Sequence, residues 1–411
     1  MKNNKKHKDT PFARNDLEFI PVQQGDQKFV LIKDHLGLVR EGMGIALHLY
    51  QFMTLLDGTK TIRDLQAELM RQRGGILVDV QQVEDTLTKL DDAFLLDSDK
   101  FKRTRDKINA DFISSKIRRC ILDGRSYPKD PSALKKVLDN ILAVRPSVPQ
   151  PEGKIIALIA PHIDLAVGRH TYSSAYQTLK HAAPSRVILL GIGHQMSGDL
   201  FCLTEKDFET PLGVVKNEPF LIRALLESGK GVVADTDLDH RSEHSLEFQI
   251  IFLQHLLGTE NFTVIPILCG SFYETLTAYT RKSYLDKTAH FLNKLKEVAM
   301  AADKETLLVA GVDLSHIGPK FGHQMPAHYL ESRAITHDQN LLNCLYRMEA
   351  DNFWEESTKA EDQFNVCGFP AMAALIEILP PCKGRIIDYQ FHHENQTQSA
   401  VSFAAVVFSD F

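Results

Sequence analysis

Beyond residue 150 the hydrophobic pattern is a series of unbroken apolar runs, each stopping at a polar or sulfur-bearing side chain. KIIALIAPHID (154–164) stops at His162, SRVILLGIGHQ (185–195) at His194, FTVIPILCGSF (262–272) at Cys269, and TLLVAGVDLSH (306–316) at Asp313 and His316. Apolar runs without alternation read as strands covered on both faces. Between them lie stretches with helical spacing, such as SSAYQTLKHA (173–182) and LEFQIIFLQHLL (246–257). Strands alternating with helices predict an α/β sheet with helices on both faces. FHHENQTQS (391–399) reads as a polar loop before a last strand, AVSFAAVVF (400–408).

The first hundred residues have a different texture. KFVLIKD (28–34) predicts a strand, and GIALHLYQFMTLLDG (44–58) a helix ending at Gly58. TIRDLQAELMRQ (61–72) predicts a helix capped by Thr61. VDVQQVEDTLTKLDDAFLL (78–96) places Val80, Val83, Leu87, Leu90 and Phe94 at spacings of three and four, which predicts an amphipathic helix. Together these form a small winged-helix-like α+β unit over 17–100. A disordered basic tail, 1–16, is expected before it and a charge-rich connector, 101–117, after it. The second unit, 118–411, opens with a turn at 127–131 and a helix expected to be capped by Ser132.

Charge and cysteine usage narrow the function. The 47 basic against 53 acidic residues leave a net charge of -6 and no basic stripe, which argues against nucleic-acid partners and a polybasic membrane surface. No apolar run approaches the roughly 18–20 residues of a membrane span, and no apolar stretch follows the basic N-terminus. The six cysteines are scattered without a CxxC pair, so a reducing cytoplasm is expected.

The chemistry concentrates where the strands end, which is where ligands bind in such sheets. Two imidazoles from separate strands, His162 and His194, suit a divalent transition metal. Candidates for a third ligand are Asp313, His316, Glu243, His244 and Cys367. Cys367 precedes a helix, a position that lowers a thiol's pKa. In Asp313-x-x-His316 the carboxylate is expected to orient the imidazole, leaving its other nitrogen as acid or base. Glu243, His244 and Glu247 share a helix start and read as a pocket wall. There is no Walker A motif, GxGxxG, HExxH or GxSxG. Two other readings are a peptide- or phosphopeptide-binding module without catalysis, and a cysteine hydrolase centred on Cys367.

DGRSYPKDP, APHIDL, LLGIGHQMSG, TPLG, EHSLEFQ, VIPILCG, GVDLSH, CGFPAM and SAVSFAA follow one another over nearly 300 residues. In this order they resemble the Memo family, whose bacterial and archaeal members are called AmmeMemoRadiSam system protein B. The resemblance implies a fold similar to class III extradiol dioxygenases, which use ferrous iron. It also implies iron or copper on His162, His194 and Cys367, with Asp313 and His316 alongside. A radical SAM enzyme and an AMMECR-type protein are the implied partners. The chain departs from the family pattern at Gln195, where a second histidine is common, and in APHID for APHAG, which adds Asp164 near the site. LDGTKTIRDLQAEL (56–69) is similar to PqqD-type modules, implying that the N-terminal unit holds a peptide.

Overall fold

Val187 and Leu189 point to one side of their strand and Ile188 and Leu190 to the other, and all four are fully buried. This is the physical consequence of an apolar run without alternation: both faces of the sheet must be covered. The computed structural model describes residues 10–24, 27–145, 151–273 and 275–410. They form two units, one reaching to Ile113 together with Asn395–Thr397, the other comprising Ser114–Glu394 and the chain from Gln398.

In the first unit, β1 (Leu17–Gln24), β2 (Gln27–Asp34) and β3 (Gly44–Ala46) form an antiparallel sheet in that order. Helices α1 (Leu47–Met53), α2 (Ile62–Gln72) and α3 (Val80–Asp92) follow, and α4 is Asp99–Ser114. Thr61 caps α2 in a reciprocal capping box with Asp64. Val83, Leu87 and Leu90 of α3 are buried, as their spacing predicts. GIALHLYQFMTLLDG is only partly helical, because Ile45 pairs with Val30 in the sheet and defers the helix to Leu47. The expected tail divides. Residues 1–9 lie outside the described residues. Phe12 and Ala13 instead bridge to Asp57 and Leu96, and buried Arg14 binds Asp16 and Asp34. The connector 101–117 lies mostly within α4.

The second unit begins with β4 (Ile117–Arg118) and α5 (Pro131–Leu142). Asp130 caps α5, not Ser132, because Pro131 occupies the first helical turn and moves the start upstream. There follow β5 (Ile155–Ala160), α6 (Arg169–Gln177), β6 (Arg186–Ile192), β7 (Phe201–Leu203), β8 (Asp207–Thr210), β9 (Gly213–Val215), α7 (Pro219–Ser228), α8 (Ser245–Leu257), β10 (Thr263–Cys269), α9 (Arg281–Ala299), β11 (Thr306–Gly311), β12 (His316–Ile317), α10 (Glu331–Tyr346), α11 (Ala350–Ala360), α12 (Phe369–Ile378), β13 (Lys383–Glu394) and β14 (Ser399–Ser409). The main sheet runs β12-β14-β5-β11-β6-β10-β7, with β13 paired to β14. Its four central strands, β5, β11, β6 and β10, are parallel. Residues 391–394, read as a loop, belong to β13, whose partner β14 is long enough to pair with them.

Ile159, Ile188 and Ile267 pack on one face with helices α7 and α9 to α12, whereas Leu158, Leu189 and Val309 pack on the other with α5, α6 and α8. Among the described residues no helix is long and apolar enough to cross a membrane.

A buried ion pair ties β4 to the start of α8. The Arg118 guanidinium binds the Glu247 carboxylate and the carbonyls of His240 and Glu243. Glu247 also accepts from the backbone N–H of Ile121 and Leu122 and from the Tyr127 hydroxyl. Removing one member leaves a buried charge uncompensated, at a typical cost of about 3–5 kcal/mol. Arg118→Met is therefore expected to lower the denaturation midpoint of this unit far more than Arg223→Met, whose guanidinium forms an exposed pair with Glu205. Urea titrations of the two variants measure the contrast.

Candidate metal centre

The strand order explains the convergence. His162, Asp313 and His194 follow β5, β11 and β6, three adjacent parallel strands, so all three emerge at the same sheet edge. Cys367 arrives on the loop before α12. Close approach needs Gly368: a Cβ there would stand 2.4 Å from the Asp313 carbonyl oxygen, which accepts the Gly368 N–H at 3.0 Å.

His162 is buried, and its Nδ1 lies 3.0 Å from the Gly311 carbonyl oxygen. Nδ1 therefore carries the proton, and Nε2 faces Cys367 Sγ at 3.8 Å and Asp313 Oδ2 at 3.7 Å. Burial, with His194 and His244 nearby, holds this imidazole well below its usual range, so it is neutral. His194 Nδ1 lies 2.9 Å from Glu243 Oε2, so Nε2 is the nitrogen that could hold a metal. One ligand atom each from His162, His194 and Cys367 lie within 4.8 Å of one another. The 3.8 Å between Cys367 Sγ and His162 Nε2 suits a single first-row ion with bonds of about 2.0–2.3 Å, and two imidazoles with a thiolate are a donor set for iron, copper or zinc. The residues present therefore fit the implied metal.

Glu243 acts behind His194 and is not exposed as a pocket wall. Its Oε2 accepts the backbone N–H and Nδ1–H of His194, and its Oε1 accepts the N–H of His244 and Ser245 at 2.8 Å. Burial opposes its charge, but His194 and His244 outweigh it and hold the carboxyl well below the usual range. A carboxylate that fixes the tautomer of a ligating histidine is a recurrent support of metal sites. The His194 and His244 rings stack at 5.2 Å, and His194, Glu243 and His244 form a second group with metal-binding spacing. Glu247 serves Arg118 and is likewise absent from the pocket wall.

Three expectations need correction. Asp313 does not orient His316: its Oδ1 accepts the His162 backbone N–H at 3.0 Å, while His316 Nδ1 pairs with the Leu314 carbonyl at 2.9 Å. The turn between them points the two side chains at different partners. Burial pushes the Asp313 carboxyl up to about 7 and the His316 imidazole down to about 4, leaving His316 neutral at neutral pH. The Cys367 thiol is also not lowered by its helix. Burial, reinforced by Asp313, pushes it well up in the metal-free protein. Finally, Asp164 is exposed and shapes a turn by accepting the Ala166 N–H, so it does not join the group. Gln195 is exposed beside His194.

Sequence reading missed the carboxylate that anchors the Asp313–His316 segment. Asp338 of α10 is buried and accepts from the hydroxyls of Ser315, Ser402 and Tyr389. No spacing links these four residues; only the pairing of β12 with β14 brings Ser315 to Ser402. Burial lifts the Asp338 carboxyl to about 6 despite the three donors. The unfolded chain releases that proton near pH 4, so this group's contribution is present below about pH 4 and lost as pH rises through 6. The urea midpoint of Asp338→Asn is expected to rise relative to that of the wild type as pH goes from 4 to 7, and paired titrations across that range measure the change in the difference.

The Memo-like protein family matches residues 118–407. A MEMO1 family protein of Aquifex aeolicus is 29% identical over 399 residues, spanning 95% of this chain and 99% of its own length. Another from Thermus thermophilus is 26% identical, over 85% of this chain and 99% of its own length. One from Nitrosopumilus maritimus is 24% identical, over 71% and 99% respectively. With its strand-end histidines, its cysteine and its Asp-x-x-His segment inside the matched region, the chain belongs to the Memo-like protein family.

Proposed function

We propose that this protein is a non-haem metal-dependent oxidoreductase whose centre is held by His162, His194 and Cys367 and takes iron(II) or copper. The observation that carries the reading is the convergence of those three ligand atoms within 4.8 Å, from three separate segments. The bound metal would supply a one-electron couple and a Lewis-acidic position. Thiolate in place of a carboxylate ligand is softer, which suits Cu(I) as well as iron. His316, neutral and held by the Leu314 carbonyl at Nδ1, is assigned as the acid or base of the site. Asp313, with a carboxyl near 7, holds or releases a proton beside His162.

The N-terminal unit is assigned to holding a peptide, and a radical SAM enzyme and an AMMECR-type protein are the proposed partners. The support is the sequence resemblance. Co-elution of the purified proteins in gel filtration is the expected result, and separate elution at micromolar concentration counts against the partnership.

Metal analysis of anaerobically purified protein tests the centre. Near-stoichiometric iron or copper is expected in the wild type and loss of it in His162→Ala and Cys367→Ser. Full occupancy in His162→Ala overturns this ligand set. Glu243→Gln is expected to keep the site but bind metal roughly 10–100-fold more weakly, as removal of a ligand-orienting carboxylate typically does. Competition with a chelator of known affinity measures it.

A further inference from the structure

A pocket of about 210 Å³ adjoins the centre on the side of His194 and Cys367, both of which line it. Its floor is apolar, with Ile192, Val366 and Phe369. Its rim is aromatic: Tyr273 is 48% exposed and stacks on Tyr279 with ring centroids 4.7 Å apart. Asp362 also lines it, and no lysine or arginine does among the described residues. The Asp362 carboxylate accepts one weak backbone hydrogen bond, 3.3 Å from Val366 N. Burial lifts its carboxyl to about 6, so it is ionised at neutral pH. Its charge reaches both tyrosines, helping to push Tyr273 up to about 12 behind the larger effect of burial.

The backbone that presents Asp362 is strained. Glu361, Asp362 and Asn365 have φ of 48°, 55° and 47°, all in the left-handed region, within seven residues ending at Cys367. Such conformations are uncommon outside glycine and persist only where surrounding contacts impose them. Here Asn365 Nδ2 donates to the carbonyls of His316 and Phe321, and His316 N donates to the Phe364 carbonyl. The loop is thus clamped in a shape that holds a carboxylate against an aromatic pocket beside the centre.

We infer that this pocket takes an organic cation, a primary amine or alkylammonium on a small apolar or aromatic body, with the ammonium between Asp362 and the tyrosine faces and the body directed toward His194 and Cys367. A carboxylate and aromatic faces both attract an ammonium group. A phosphate or carboxylate ligand would meet one negative charge and no basic side chain of the described lining. Calling this ligand the substrate rests on the metal-centre reading; its binding does not.

The test is isothermal titration of the full chain, metal-stripped and metal-loaded, with three probes of one shape: 2-phenylethylamine, 2-phenylethanol and 3-phenylpropionate. The amine is expected to bind at least tenfold more tightly than the alcohol, with the acid weakest. Asp362→Asn, which tolerates the left-handed backbone, is expected to erase the preference for the amine while leaving alcohol binding and metal content unchanged. Equal binding of amine and alcohol by the wild type, tighter binding of the acid, or no saturable binding of the amine overturns the inference. A preference that survives in Asp362→Asn does so too. Because metal content is measured separately, loss of the metal-centre reading leaves the amine result interpretable, and the reverse.

Discussion

The site depends on one carboxylate that has no water to solvate it. Glu243 is buried, and a buried anion persists only if its lone pairs are filled. Four N–H groups fill them: two from His194 and the backbone donors of His244 and Ser245. Those bonds also set the imidazole's tautomer and fix where α8 begins. Arg118 holds the same segment from behind through the carbonyls of His240 and Glu243. The geometry at His194 is therefore inherited from an electrostatic requirement in the core.

The sheet supplies the other half of the arrangement. Adjacent parallel strands end in register, so residues two positions past β5, β11 and β6 emerge together. Gly311 lets α8 approach that edge, since a Cβ there would lie 2.5 Å from the Ser245 carbonyl oxygen. The antiparallel strand β14 pairs with β5 and β12 and, through Ser402, joins Asp338 and Ser315 into the buried network that anchors the turn before His316. The residues with metal-binding spacing, the His316 imidazole and their supports thus come from elements spread over more than 200 residues.

The two units stand differently toward the family. The family match covers 118–407, outside the N-terminal unit. The Aquifex relative spans 95% of the chain, which reaches into that unit as well. The N-terminal unit has its own apolar core around Leu65, Val83 and Leu90, and its own buried Arg14–Asp34 pair. Its stability therefore rests on interactions of its own.

The unbroken apolar runs were enough to determine a sheet covered on both faces, because burying such a strand on one face only would leave hydrocarbon in water. The runs also marked His162, His194 and Asp313 as strand-end residues, and the ordered motifs named the family. What each polar group bonds to was decided by the tertiary structure alone. Asp313 turns to the His162 backbone and not to His316, because a buried carboxylate takes the nearest unsatisfied N–H. Cys367 is raised and not lowered, because desolvation outweighs a helix terminus. Asp338, Arg118 and the Asp362 pocket carry no local signal, since their partners lie tens to hundreds of residues away and meet only through strand pairing and helix packing.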